Sequence, residues 1–231
     1  MPYLYIDPWY IILVVPAMLL AFWAQINVNT TFSRYSKVLA PSGMTGAESA
    51  RRVLEANGVT GVRIERISGN LTDHFDPKTN TIRLSESVYD ATTVSAVGGA
   101  AHEAGHAVQY AVGYAPMQLR AAIIPATNIG SQLAMPLVLL GLIFSSAMLV
   151  DIGIIAFSMS TLFQLVTLPV EFNASRRAVA TLESSCVSDT EVKGAKAVLR
   201  AAALTYVAAL AVSLASLLRI ILLFGNRNRR D

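Results

Sequence analysis

Cysteine occurs once in the 231 residues, so no internal disulfide can form and a small disulfide-stapled fold is excluded. Charge is scarce as well. Asp, Glu, Lys and Arg make up 14% of the chain, against about 25% in ordinary soluble domains, and the mean hydropathy is +0.51. So few charges cannot cover the surface of a wholly soluble chain of this size. Disorder, which needs low hydrophobicity and high charge, is excluded too. The formal net charge of +3 comes without a dense Lys/Arg patch interleaved with aromatics, which argues for no nucleic acid among the partners.

The places where charge vanishes carry the information. No Asp, Glu, Lys, Arg or His lies between Asp7 and Arg34, between Arg120 and Asp151, or between Asp151 and Glu171. The stretch from Arg200 to Arg219 is nearly as clean. A helix crossing a bilayer core needs about 20 apolar residues, which gives four spans at roughly residues 8–25, 132–150, 152–170 and 203–224. The first lacks a basic leading region and a small-x-small cleavage site, so it reads as an anchor rather than a signal peptide. Arg219, near the end of the fourth, is expected to snorkel to the interface. Asp151 is expected to mark a tight turn between the second and third spans.

Four spans put both termini on one side of the bilayer and the two large loops on the other. The loop side carries Arg34, Lys37, Arg120, Arg176, Arg177, Lys193, Lys196 and Arg200, against Arg227, Arg229 and Arg230 opposite. The positive-inside rule then places the large-loop side in the cytoplasm. The expectation is a multi-pass integral membrane protein with the lipid bilayer as one partner.

Between the first two spans lies a polar stretch of ordinary soluble composition. Thr45-Gly46-Ala47-Glu48 is a capping box at a helix start. Ala47, Ala50, Val53 and Leu54 form its apolar stripe, and Gly58 stops it. Residues 62–67 read as a strand, and residues 71–75 and 81–84 as a hairpin around the polar turn Asp76-Pro77-Lys78-Thr79-Asn80. A long helix follows over roughly residues 92–112. Near the C-terminus Ser188-Asp189-Thr190-Glu191 reads as a second capping box. The helix it starts would extend roughly 54 Å to Phe224 at 1.5 Å per residue, so it must project beyond its span.

On the long helix stands His102-Glu103-Ala104-Gly105-His106. Histidines at i and i+4 share one helix face, so both imidazoles reach a single ion. Glu103 is then placed as general base on zinc-bound water, the arrangement of an H-E-x-x-H site. Catalytic zinc takes three protein ligands, and His74, Asp73, Asp76, Asp151 and Glu171 are candidates for the third. Asp151 and Glu171 bracket the third span and so fall on opposite membrane faces. Glu171 emerges on the histidine side and is the choice. His74 is the candidate additional catalytic group, stabilising the oxyanion or contacting substrate, and Asn173 the candidate substrate-binding residue. Tyr89, Tyr110, Tyr114 and Tyr206 are all possible oxyanion donors. Gly98-Gly99-Ala100-Ala101, unfavourable in an isolated helix, suggests close approach of another element.

The chain resembles the YugP-like membrane neutral zinc metallopeptidases. The likeness rests on Leu71-Thr72-Asp73-His74-Phe75-Asp76-Pro77, the zinc helix over residues 101–109, Leu168-Pro169-Val170-Glu171-Phe172-Asn173-Ala174-Ser175, and residues 202–208. More distantly the site is similar to gluzincins of the Ste24/HtpX type, in which an Asp commonly follows the ligand Glu by four residues. Ser175 stands there instead, so hydrogen bonding around that ligand is expected to differ. The resemblance implies a bacterial-type membrane protein with one Zn2+ per chain and neutral peptidase activity, with localisation in the plasma membrane.

The expected fold is therefore that of a mainly α membrane protein. It has four transmembrane helices plus a small α+β zincin-like domain with a β-hairpin and an HExxH helix. Residues 1–33 form a first anchor, 34–116 the catalytic domain, and 117–231 a three-helix region carrying the third ligand. The expected function is a membrane-embedded zinc-dependent endopeptidase acting on a peptide or membrane-protein substrate, with the oligomeric state open. The alternative is a non-catalytic zinc-stabilised membrane scaffold or adaptor. A metal transporter would place ionisable groups in mid-span, and the first three spans have none.

Overall fold

The computed structural model describes residues 7–185 and 187–224. Cys186, Arg227, Arg229 and Arg230 lie outside the described residues. The chain is mostly helical. A π-helical turn, Tyr10–Val14, leads into α1 (Val15–Tyr35), followed by α2 (Gly46–Ala56), β1 (Arg63–Ile67), β2 (His74–Asp76), β3 (Thr81–Ser85), α3 (Glu86–Tyr89), α4 (Val94–Ala111), α5 (Ala115–Ile143), α6 (Ala147–Ser184) and α7 (Asp189–Phe224). Among the described residues four helical stretches are long and apolar enough to cross a membrane: Tyr10–Tyr35, Ala115–Ile143, Ala147–Ser184 and Asp189–Phe224. Two compact units divide the chain. One comprises Met1–Ala24, Leu119–Leu168 and Thr205–Asp231, the other Gln25–Gln118 and Pro169–Leu204.

The first unit is apolar outside and small inside. Ile12, Phe22, Ile129, Ile143 and Ile155 all stand exposed, as expected of faces that meet hydrocarbon. Its helices meet at glycines. A Cβ on Gly130 would come 2.9 Å from the Ala156 carbonyl oxygen, and one on Gly153 would come 3.0 Å from that of Ala134. Lacking a hydrophobic driving force in lipid, helices gain most from such close backbone approach. Thr161 and Ser213 share a hydroxyl hydrogen bond of 2.7 Å between α6 and α7.

One expectation is corrected in this unit. The turn between the second and third spans is Phe144-Ser145-Ser146, with Ser145 at φ +53°. Asp151 lies inside α6, because the apolar helix starts at Ala147 and one carboxylate does not end it. Arg219, expected to reach toward the interface, has a charged partner. Its Nε and a terminal nitrogen donate to Asp7 Oδ2 at 2.9 and 2.6 Å, and its guanidinium lies 5.1 Å from the Tyr10 ring centre. The start of the first helical stretch is thereby tied to the end of α7.

The second unit is built like a soluble domain. The Thr45 capping box forms in full. Its amphipathic helix, α2, buries Ala47, Ala50, Val53 and Leu54 against α4. The sheet has the order β1-β3-β2. β3 pairs in parallel with β1, Ile64 opposite Ile82, and antiparallel with β2, Phe75 opposite Ile82. β3, its residues buried except for Arg83, fills the centre, while β2 is a short edge. α3, a single turn between β3 and α4, was not expected from the sequence. Its Val88 is buried in the core.

The Ser188 box is only half formed. Ser188 Oγ accepts from Glu191 N, but the buried Glu191 carboxylate accepts from Ser42 N and Oγ at 3.2 and 2.8 Å. A tertiary partner has replaced the helix's own amide. The glycines of α4 do receive neighbours: a Cβ on Gly98 would sit 3.2 Å from Ala195 Cα of α7.

Single replacements Asp7→Asn and Arg219→Met should each lower the melting temperature of the detergent-solubilised chain. The double replacement should cost less than the sum of the two. Strict additivity would show that the pair contributes nothing of its own.

Candidate metal centre

α4 starts at Thr93, whose hydroxyl caps Ala96 N, and passes through the core of the second unit with Ala100, Ala101, Ala104 and Ala107 buried. This buried stripe fixes the helix's rotation and places His102, Glu103 and His106 along one side. α6 supplies Glu171, two residues after Pro169. The two helices meet closely, for a Cβ on Gly105 would come 2.5 Å from the Ala174 carbonyl oxygen. Glycine is needed here for contact rather than for backbone freedom.

The result is a convergence of three donors. His102 Nε2 and His106 Nε2 lie 3.2 and 3.5 Å from Glu171 Oε2, and all three ligand atoms fall within 4.8 Å of one another. Two ligands each about 2.0–2.1 Å from a zinc ion in tetrahedral geometry are about 3.3 Å apart. The observed spacings fit. The donor chemistry fits as well, since imidazole and carboxylate suit zinc. Among the described residues this is the one cluster of its kind.

The groups behind the ligands orient them. Ser175 Oγ lies 3.1 Å from His102 Nδ1, so the residue standing four after Glu171 contacts the first histidine as a hydroxyl. Gln109 Oε1 lies 3.0 Å from His106 Nδ1. With a hydrogen-bond partner at each Nδ1, each Nε2 is left for a metal.

Glu103 is half-buried beside these histidines. Its Oε2 accepts from Phe75 N at 3.0 Å, an edge-strand amide of β2. Burial pushes the Glu103 carboxyl up from its ordinary value, against the downward pull of His102 and His106 and with an upward contribution from Glu171 and Asp73.

The other candidates have different partners. Asp73 accepts from Ser85 N and Oγ at 2.7 and 3.0 Å, joining β3 to the approach of β2. Asp76 accepts from Arg83, Thr79 and Lys78, and the Arg83 guanidinium with the Thr79 hydroxyl holds its carboxyl well below the usual range. Asp151 belongs to the other unit. His74 is exposed on β2, with Nδ1 2.8 Å from Thr72 O. Asn173 Oδ1 accepts from Gln109 Nε2 and from Arg177 Nε at 3.0 and 2.8 Å. Of the tyrosines, Tyr110 is half exposed with its ring 5.8 Å from that of Phe75. Tyr89 packs on the core and Tyr206 lies in the other unit.

Sequence reasoning missed Gln109 and the Phe75 amide. Gln109 had a usable signal, because it follows His106 by three and so shares its helix face. The Phe75 amide had none.

Two imidazoles and a carboxylate that could hold a metal ion thus converge beside Glu103, the residue that follows His102 on the same helix. The family described as "Putative neutral zinc metallopeptidase" matches residues 10–225, and the chain belongs to it. The Bacillus subtilis (strain 168) protein named "Putative membrane protease YugP" is 48% identical over 218 residues, covering 94% of this chain and 97% of that one. No solved structure matches.

Replacing Gly105 by Ala should separate α4 from α6. The overpacking should cost about 1–3 kcal/mol, read by thermal unfolding. Zinc content after gel filtration should fall with it. A variant with unchanged zinc and stability would show that the close crossing is not required.

Proposed function

We propose that the protein is a membrane-embedded zinc endopeptidase. The observation that carries this reading is the convergence of His102 Nε2, His106 Nε2 and Glu171 Oε2 with the Glu103 carboxylate alongside. His102, His106 and Glu171 would hold the ion. When bound, zinc supplies Lewis-acid polarisation of the scissile carbonyl and acidification of the attacking water.

The protein's own groups do the rest. Glu103 takes a proton from the attacking water at a carboxylate oxygen and delivers it to the leaving amine. The Phe75 amide keeps one carboxylate oxygen aimed while the other acts. His74, exposed on the same edge strand, contacts the substrate or steadies the oxyanion. Substrates are peptide segments of membrane proteins or of chains at the membrane face, a reading supported by the four apolar helices and by the membrane-protease name of the relative. The large-loop side is proposed to be cytoplasmic.

Glu103→Gln should retain zinc and lose about 10²–10⁴-fold in turnover, assayed on a quenched peptide library in detergent micelles. Retained turnover would sink the general-base role. A wild type that holds zinc and cleaves nothing would turn the reading to a zinc-stabilised scaffold. His74→Ala should lower turnover without loss of zinc, and loss of zinc would make His74 a ligand instead.

A further inference from the structure

Gln109 is fully buried, carries no charge, and touches three polar groups from two elements. Its Oε1 faces His106 Nδ1 at 3.0 Å, and its Nε2 donates to Val170 O at 2.8 Å and to Asn173 Oδ1 at 3.0 Å. Amide oxygen and nitrogen are assigned from such partners, and here the partners leave one solution. The Val170 carbonyl can only accept. Arg177 Nε can only donate, and it donates to Asn173 Oδ1 at 2.8 Å, which fixes that oxygen as an acceptor. Turning the Gln109 amide over would set its oxygen against two acceptors at once.

We infer that Gln109 is a positioning residue that fixes the tautomer and orientation of His106, in a hydrogen-bond relay whose polarity is imposed by Arg177 and the Val170 carbonyl. The inference rests on the metal-centre reading above. The relay runs from the Arg177 donor to Asn173 Oδ1, which also accepts from Gln109 Nε2. Gln109 Oε1 is then left as the acceptor of the His106 Nδ1 proton. His106 Nε2, 3.5 Å from Glu171 Oε2, is then the nitrogen left for an ion held between the two. A single amide thereby orients the second histidine of α4 from the turn of α6 that supplies the third ligand.

A second property follows from the same contacts. Val170 precedes Glu171 directly, so the bond from Gln109 to the Val170 carbonyl holds the backbone of the ligand's own turn. His106 and Glu171 are positioned by one side chain, and loss of that side chain disturbs both. Groups behind metal ligands commonly change affinity by 10–100-fold on removal. Simple packing makes a different demand, because a leucine of similar volume would then serve.

The test uses the full chain in detergent micelles as wild type, Gln109→Leu and Gln109→Glu. Zinc affinity is read by competition with a chelator of known strength. The His106 tautomer is read by long-range proton–nitrogen correlation on histidine-labelled, zinc-free protein at alkaline pH, in chains that also carry Glu171→Ala, so that no carboxylate draws the proton to Nε2. With Gln109 in place this chain should show the Nδ1–H tautomer. Gln109→Leu should mix the tautomers there and, with Glu171 intact, weaken zinc binding 10–100-fold. Gln109→Glu keeps the acceptor toward Nδ1 and should hold zinc within a few-fold of wild type while melting lower, since it loses both donors. An Nε2–H tautomer with Gln109 in place overturns the inference. So does Gln109→Leu binding zinc as tightly as wild type. The Nδ1–H tautomer with Gln109 in place, but no affinity of wild type for zinc, would support the relay and sink the metal-centre reading, so the two failures are distinct.

Discussion

The candidate metal centre depends on two helix backbones coming within contact at one point. His102 and His106 come from α4 and Glu171 from α6, with more than sixty residues of chain between His106 and Glu171. Their side chains share a point because Gly105 admits the Ala174 carbonyl where any Cβ would exclude it. Every other feature of the site presupposes that crossing. The Gln109 bond to Val170 and the Ser175 contact to His102 both span it, and neither side chain could reach across a wider gap. The glycine inside the H-E-x-x-H motif therefore has its own physical reason.

Polar partners then define what the crossing holds. Removing charge from water is costly unless paired, yet this small volume contains Glu103 and Glu171 with two imidazoles. A divalent cation offsets such a concentration of negative and lone-pair donors better than protons do, and the separations fit one. The donor set is the stronger argument. The surroundings add that the acids of the nearby hairpin are already satisfied: Asp73 by Ser85, Asp76 by Arg83.

Local features of the fold were readable from the residues. The Thr45 box, the strand before the hairpin, the helix bearing the histidines and the start of α7 at Asp189 all lie where pattern and caps put them, because each depends on neighbours within one turn or one strand. Glu171 was legible through topology: a charge-free span ends there on the histidine side. What the residues did not disclose mostly involves a partner distant in sequence. Asp151 is the exception, a single carboxylate that does not end the apolar helix α6. Arg219 finds Asp7, more than two hundred residues away. Glu191 leaves its capping role for Ser42. Gln109 and the Phe75 amide belong to the same class, since spacing shows which residues share a face but not what lies opposite.

The two carboxylates of the site illustrate how environment assigns roles to chemically similar groups. Glu171 Oε2 faces two imidazoles, and its own turn is held by Gln109 through Val170. That is the setting of a fixed ligand. Glu103 accepts from a backbone amide on an edge strand, and burial pushes its carboxyl up. That setting suits the proposed role of a group that gains and loses a proton. The difference arises because α4 turns one residue toward α6 and the next toward β2. Adjacent positions on a helix point about 100° apart, so His102 reaches Glu171 while Glu103 reaches the Phe75 amide. In the proposed mechanism that step separates ligand from base, and the edge-strand amide keeps the base aimed.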